Sequence, residues 1–193
     1  MPMDPRLLIG VAGMPGSGKS LLVLAAKKMG VPVISMGDVV RKEALKRGLP
    51  VNRATLSALA TELRAKEGPD AIAKRCLQEL RKCRSNVVLI DGLRSIFEYD
   101  TFKNHYPLMK VVFVFASPGT RFRRLRARGR EDDPQNWDEF VERDLRELRF
   151  GLSALFYISD VVFINEGKTF NEALKDASLI LRRLVKNAHP SSR

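Results

Sequence analysis

Residues 13–20 read GMPGSGKS, and this spacing of glycine, lysine and serine is suited to binding phosphate. The glycines permit positive φ angles, so that successive backbone N–H groups can point at phosphate oxygens. Lys19 adds a positive charge for the β and γ phosphates, and Ser20 adds a hydroxyl for Mg²⁺. We therefore expect ATP and Mg²⁺ to bind here. The predicted nucleotide-binding residues of this loop are Gly13, Pro15, Gly16, Ser17, Gly18, Lys19 and Ser20.

A carboxylate follows at Asp91, where the apolar run NVVLIDG ends. The end of a buried strand beside such a loop is the usual place for an aspartate that holds Mg²⁺, directly or through water. Motor-type ATPases commonly follow this aspartate with a glutamate that polarises water, whereas the next residue here is Gly92. The Asn-Lys-x-Asp guanine reader of GTPases is also absent. These residues favour transfer to a bound acceptor over hydrolysis.

The chain carries a net charge of +12, and half of it lies in the stretch RFRRLRARGR, Arg121 to Arg130, which has six arginines and no acid. Such a concentration is typical of a surface that faces nucleotide phosphates or nucleic acid, and also of a solvated helix face. No RNA-binding motif accompanies it. A nucleotide-controlled protein that binds RNA or another protein therefore stays an alternative to an enzyme.

Five apolar runs of strand length must position these groups: RLLIGVAG, VPVIS, NVVLIDG, MKVVFVFA and DVVFIN. They are continuous rather than alternating, as expected for strands that are covered on both faces. Helical patterns lie between them. The sequence thus predicts an α/β fold with a five-stranded parallel sheet, and its 193 residues fit one domain, 1–193.

The segment between the second and third strands, residues 37–84, is longer than one crossover helix needs. Breaks are expected at RGLP, Arg47–Pro50, and at EGPD, Glu67–Asp70. The surplus predicts a small helical insert over the carboxyl edge of the sheet, where the ligands of open α/β sheets bind.

After the arginine-rich stretch, Asp133 and Pro134 have the residue types of a helix N-cap and first helical position. The helix is expected to run to about Phe150. One apolar face is predicted to pack inward rather than stack on bases, and it consists of Trp137, Phe140, Val141, Leu145 and Leu148.

Cys76 and Cys83 are seven residues apart on a predicted helix, which separates their Cα atoms by about 10 Å and excludes a disulfide. Two histidines and two cysteines do not support a zinc site. The chain has no apolar run of membrane-spanning length, and its start, MPMDPR, lacks the layout of a signal peptide. We expect a cytoplasmic protein that has no membrane partner.

Taken together, GMPGSGKS, ISMGDVVR, IDGLRS, the arginine helix, GREDD and INEG resemble the nucleoside monophosphate kinases. They are most similar to adenylate kinase and its archaeal relatives of unassigned activity, over nearly the whole chain. The resemblance implies the P-loop NTPase fold with strand order 2-3-1-4-5. It also implies that the insert binds the acceptor and that a short lid lies at about residues 128–134.

On the acceptor side, Gly37, Asp38 and Arg41 match the Gly-Asp-x-x-Arg that lines the acceptor site of these kinases, with Arg41 on the acceptor phosphate. Arg94 resembles the arginine that follows the family's Asp-Gly and clamps the same phosphate. It comes one residue earlier than usual, because the family's proline is missing.

On the donor side, the resemblance places Arg121 and Arg124 over the donor base and phosphates, and the loop of residues 165–167, with Gly167, at the adenine edge. Arg130 resembles the lid arginine that closes on the transferring phosphoryl group. Its catalytic partner on the next helix is Arg143, with Arg146 as the alternative.

The acceptor can be of two kinds. A phosphate, as in AMP or another nucleoside monophosphate, needs no general base, and Arg41 and Arg94 favour it. A hydroxyl, as in dephospho-coenzyme A or a nucleoside, would use a carboxylate, for which Asp38 is the candidate. Nothing in these motifs selects ATP over GTP.

Overall fold

The computed structural model describes residues 6–130 and 133–188. Its strands form a parallel sheet in the order β2-β3-β1-β4-β5, which confirms the predicted fold. The strands are β1 (Leu7–Ala12), β2 (Val33–Ser35), β3 (Val87–Asp91), β4 (Lys110–Phe115) and β5 (Val161–Ile164). The three central strands, β3, β1 and β4, are buried over nearly their whole length, which explains their continuous apolar sequences.

Helices cover both faces of this sheet. They are α1 (Ser20–Lys28), α2 (Met36–Lys46), α3 (Arg53–Glu67), α4 (Ala71–Lys82), α5 (Ile96–His105), α6 (Pro118–Arg128), α7 (Trp137–Arg149), α8 (Leu152–Tyr157) and α9 (Phe170–Ala188). On one face α1 and α9 bury a cluster that includes Leu22 and Ala177. On the other face a second cluster joins the sheet to α2–α5 and α8. The two clusters fix the strand ends and the loops that follow them.

The predicted insert is present as α2, α3 and α4, with breaks at the two expected places. Asn52 caps α3, since its side-chain oxygen accepts the Thr55 N–H at 2.9 Å. The insert shares the core of the sheet, because Ala44, Leu63 and Ile90 belong to one buried cluster. It is therefore packed on the sheet and brings the start of α2 to the carboxyl edge.

The start of α7 differs from the sequence prediction. Asn136, and not Asp133, caps this helix: its side-chain oxygen accepts the Glu139 N–H at 2.9 Å. Asp133 cannot serve as the cap because its buried carboxylate accepts hydrogen bonds from Arg128 and Arg143. The helix consequently begins at Trp137.

The apolar face of α7 was expected in the core, and this prediction is wrong for most of it. Phe140 is buried, but the remaining members are 37–47% exposed, namely Trp137, Val141, Leu145 and Leu148. The side of the helix that faces the protein carries Phe140 together with Arg143, Asp144 and Glu147, whose side chains are 11%, 15% and 14% exposed. Ion pairs with neighbouring elements hold these charged groups inside, so the helix turns its apolar residues outward.

In the described part of the chain, no helix has the length and apolarity needed to cross a membrane. Cys76 and Cys83 are free thiols, as predicted. Burial raises the pKa of the Cys76 thiol to about 12, which makes it a packing residue rather than a nucleophile.

Candidate functional site

The loop between β1 and α1 has a backbone that only glycine accommodates at three positions. Gly13, Gly16 and Gly18 have φ angles of +143°, +80° and +101°. A Cβ at Gly13 would lie 2.4 Å from the Val114 carbonyl oxygen, and one at Gly18 would lie 2.2 Å from Asn165 Nδ2. The loop is thus enclosed by its neighbours, and its glycines take the positive φ angles expected of a phosphate-binding loop.

The ammonium of Lys19 lies inside this loop. Its Nζ donates to the carbonyl oxygens of Gly13 and Met14, at 2.6 and 3.2 Å. Burial lowers the pKa of Lys19 to about 8. A bound phosphate would add opposite charge beside this ammonium and favour its charged form.

Charged groups on three parts of the chain act on Lys19 through space. These parts are the end of β3, the segment that follows β3, and α7. The acidic ones, Asp91 and Glu147, raise its pKa, while the basic ones, Arg94 and Arg143, lower it. Four predicted site residues, Lys19, Asp91, Arg94 and Arg143, therefore influence one another electrostatically, although the spacing of Arg94 departs from the family's. Glu147 was not predicted. Its position one turn beyond Arg143 and Asp144, on the charged side of α7, is the signal that could have indicated it.

Asp91 ends β3 in register with Val11 of β1 and Ser35 of β2. Burial raises the pKa of its carboxyl group, Lys19 opposes the effect, and Asp38 adds to it. Asp91 thus lies within electrostatic reach of both the phosphate loop and the first turn of α2, which is where a metal-holding carboxylate was predicted.

The predicted acceptor residues on α2 are open to solvent. Asp38 and Arg41 form an ion pair with each other, and their side chains are 60% and 48% exposed. Gly37 is exposed as well, and a Cβ there would approach only Ser35 Oγ, at 3.6 Å. Packing therefore does not require glycine at position 37, and this surface is accessible to a ligand.

Arg121 was predicted over the nucleotide, and the structure turns its guanidinium toward the protein. It donates to both carboxylate oxygens of Asp144, at 2.8 and 2.5 Å, and to the carbonyl oxygens of Pro15 and Ala116, at 3.3 and 3.1 Å. With its side chain 5% exposed, Arg121 supports the phosphate loop from behind. Direct contact with a nucleotide would require this pair to open.

Arg124 also holds the phosphate loop. It donates to the carbonyl oxygens of Ser17 and Asn165, at 3.3 and 2.9 Å, and the side chain of Asn165 donates to the same Ser17 oxygen at 2.8 Å. Gly167 is exposed, with a φ of +62° and open space around it. The segment after β5 is therefore fixed to the loop on one side and accessible on the other.

The predicted lid lies only partly within the described residues, since residues 131–132 fall outside them. Arg130 is exposed, and among the described residues none forms a hydrogen bond with its guanidinium. Its backbone N–H donates to Asp133 at 3.1 Å, and Arg143 donates to the same carboxylate at 3.2 Å. Hydrogen bonds from Arg128 hold the pKa of Asp133 at about 2. Arg146 is exposed.

The oxygen ligands beside the phosphate loop are of the kind that binds Mg²⁺ together with a nucleotide. The described residues contain no cluster of three or more histidine, cysteine or acidic side chains that could hold a metal alone. A hydroxyl at Ser20, exposed at the start of α1, and a carboxylate at Asp91 are oxygen donors of the kind that Mg²⁺ combines with phosphate oxygens. These two residues would hold the ion beside the phosphates.

Comparison with known proteins agrees with this architecture. A family model described as an AAA domain matches residues 12–141. A UPF0200 protein of Methanocaldococcus jannaschii is 44% identical over 183 residues, which cover 94% of this chain and 92% of that protein.

Solved structures share the fold at low identity. TT1252 from Thermus thermophilus has a TM-score of 0.64 at 21% identity, covering 93% of this chain and 98% of that one. A gluconokinase from Sinorhizobium meliloti 1021 has a TM-score of 0.56 at 17% identity, covering 98% and 99%. A shikimate kinase from Acinetobacter baumannii, solved with shikimate, has a TM-score of 0.57 at 18% identity, covering 96% of each chain. The fold is that of kinase-like P-loop proteins, while the expected closeness to adenylate kinase stays a prediction.

Proposed function

The chain belongs to the UPF0200 family and carries an AAA domain, and we propose that it is a Mg²⁺-dependent phosphotransferase that moves the γ-phosphoryl group of ATP to a small nucleotide-type acceptor. The observation that carries this proposal is the loop between β1 and α1, whose glycines at positive φ hold Lys19 Nζ beside the carboxyl end of the sheet, where Asp91 ends β3. The charges of Asp91, Arg94, Arg143 and Glu147 also act on Lys19.

In the proposed reaction an acceptor oxygen attacks the γ-phosphorus, the bond from that phosphorus to the β–γ bridging oxygen breaks, and ADP leaves with the electron pair. Lys19 and Arg143 would stabilise the negative charge on the transferring group, and Arg130 would join them from the lid. Mg²⁺, held through Ser20 and Asp91, would neutralise the charge of the phosphates when bound.

Transfer is favoured over hydrolysis by the residues after Asp91. Gly92 and Leu93 direct their N–H groups to the Val11 carbonyl oxygen, at 3.3 and 3.2 Å, so this turn is fixed to β1. The position that follows the aspartate therefore presents no side chain that could polarise a water molecule.

A phosphate-bearing acceptor, AMP or another nucleoside monophosphate, fits the arginines on the acceptor side. Arg41 and Arg94 are both about half exposed and could turn toward such a ligand. A hydroxyl acceptor, as in a nucleoside or dephospho-coenzyme A, is the second candidate. Asp38 supports it, since this carboxylate lies within electrostatic reach of Asp91 and could take the proton of the hydroxyl.

A binding protein controlled by ATP is a further candidate, and one specific observation favours it. Arg123 and Arg126 lie exposed on α6, and the Arg126 guanidinium is 5.9 Å from the ring centroid of Phe122. Exposed cations on one helix can bind the phosphates of RNA. Loss of RNA affinity with rising salt, without phosphoryl transfer, would indicate this role.

The test is incubation of the full chain with Mg·ATP and separate acceptors: AMP, other nucleoside monophosphates, nucleosides and dephospho-coenzyme A. Products are separated by chromatography. One phosphorylated acceptor, formed by the wild type and not by Lys19→Ala, is the expected result. ADP and inorganic phosphate without a phosphorylated acceptor would contradict the proposal.

A further inference from the structure

Glu147 is the carboxylate of α7 that faces the acceptor arginine. Its Oε1 lies 3.5 Å from Arg94 Nη1, and its side chain is 14% exposed, while its neighbours Leu145 and Leu148 on the same helix are 46% and 43% exposed. Glu147 is thus turned into the site. Its charge also acts on Lys19 at the phosphate loop.

The backbone of Arg94 is fixed by a hydrogen bond to a buried carboxylate, whereas its side chain is about half exposed. The Arg94 N–H donates to Glu98 at 2.9 Å, and this fully buried carboxylate also accepts from Arg64 at 3.0 Å. The Arg94 side chain, in contrast, is 46% exposed and its described ion-pair partner is Glu147. The guanidinium can therefore change partners without a change in the fold around it.

The helix that carries Glu147 is anchored on both sides of this residue. Asp144, one turn earlier, pairs with the buried Arg121. Phe150, just after the helix, lies under the guanidinium of Arg64, 5.2 Å from its ring centroid. These contacts keep Glu147 opposite Arg94 while a ligand enters or leaves.

We propose that Glu147 competes with the acceptor for Arg94: it occupies the guanidinium in the ligand-free protein and must be displaced by the phosphate of the acceptor. This inference rests on the proposed function, since it takes Arg94 as an acceptor-binding residue. A phosphate dianion carries more negative charge than a carboxylate and can therefore compete with Glu147 for the guanidinium. Glu147 thereby weakens the binding of every acceptor whose phosphate must take Arg94 from it.

The test measures binding, so that it does not depend on turnover. Inorganic phosphate is titrated calorimetrically into the full chain with Mg²⁺ and adenylyl imidodiphosphate present at saturation. We expect Glu147→Gln to bind phosphate about two- to fivefold more tightly than the wild type, as befits a partly exposed ion pair. Glu142→Gln is the matched control, because Glu142 is an exposed acid on the same helix, and it should leave phosphate affinity unchanged.

A double-mutant comparison separates displacement from simple repulsion between charges. In an Arg94→Gln background, Glu147→Gln should change phosphate affinity less than twofold, because no guanidinium is left to be released. An equal gain with and without Arg94 would overturn the proposal, and so would unchanged or weaker phosphate binding by Glu147→Gln.

Steady-state kinetics of Glu147→Gln gives a second readout. A fall in kcat of a hundredfold with unchanged acceptor KM would overturn the proposal and make Glu147 a general base instead. If no acceptor is phosphorylated at all but the binding pattern holds, the proposed function fails, and Glu147 is shown only to compete with phosphate for Arg94.

Discussion

Arg121 and Asp144 form a doubly hydrogen-bonded ion pair between α6 and α7, with N–O distances of 2.8 and 2.5 Å, and the same guanidinium donates to Pro15 of the phosphate loop. The two side chains are 5% and 15% exposed. Because one buried cation serves both partners, the position of the loop and the position of α7 are linked.

Asp144→Ala would leave the Arg121 guanidinium buried without its charged partner. Removing one member of a buried pair costs about 3–5 kcal/mol, and we expect a loss of unfolding free energy of that order together with weaker ATP binding. Glu142→Ala, an exposed acid on the same helix, should change stability by less than about 0.5 kcal/mol. Urea unfolding of both variants checks this. Equal stability of the two would mean that the pair does not hold α7.

Gly18→Ala tests whether packing, as well as backbone conformation, requires glycine in the loop. Its Cβ would lie 2.2 Å from Asn165, whereas Gly30, with a φ of +71°, has nothing within 4 Å. Both substitutions strain the backbone by roughly 1–2 kcal/mol. ATP affinity, measured by calorimetry, should fall at least tenfold for Gly18→Ala and stay unchanged for Gly30→Ala. The same affinity in both variants would show that the loop tolerates the extra carbon.

The affinity for ATP should decrease above pH 8. The charged form of Lys19 binds phosphate, and burial lowers its pKa from 10.5 to about 8 in the ligand-free protein. At higher pH a proton must be taken up before the ammonium can act, so the apparent Kd should rise about tenfold between pH 7 and pH 9. Lys19→Arg stays charged over this range, and any ATP binding it retains should lack this step. A wild-type Kd that is constant to pH 9 would contradict the prediction.

Arg41→Ala should raise the KM for the acceptor at least tenfold and leave the KM for ATP within twofold of the wild type. The reason is that Arg41 lies on the exposed first turns of α2, where Asp38 is its described partner. Lys46→Ala, at the far end of the same helix and exposed, controls for the loss of a positive charge. Steady-state kinetics with each substrate varied in turn supplies the values. An equal effect on both substrates would mean that Arg41 does not belong to the acceptor side.

The sheet and the phosphate loop were predictable because local sequence determines them. Continuous apolar runs mark strands that are buried on both faces, and the loop glycines report a backbone of positive φ. The position of Asp91 followed from the same rule, since the carboxyl ends of parallel strands share one edge. These features need no knowledge of distant contacts.

The orientation of α7 was not predictable in the same way. Its sequence has an apolar side, which normally faces the core. The structure turns most of this side outward and keeps only Phe140 buried, because Arg121 and Arg94 are placed by α6 and by the segment after β3 and pair with Asp144 and Glu147. Partners so distant in sequence leave no local pattern. The same reason explains why Arg121 was expected at the nucleotide and is found behind the loop.

The most direct test of the account follows the terminal phosphate of ATP. The full chain is incubated with Mg²⁺, ATP labelled in its γ-phosphate and the best acceptor of the panel, and the label is measured in the acceptor and in inorganic phosphate. We predict that most of the label moves to the acceptor in the wild type and stays in ATP with Lys19→Ala. Label released only as inorganic phosphate, or the same turnover in both proteins, would contradict phosphoryl transfer at this site.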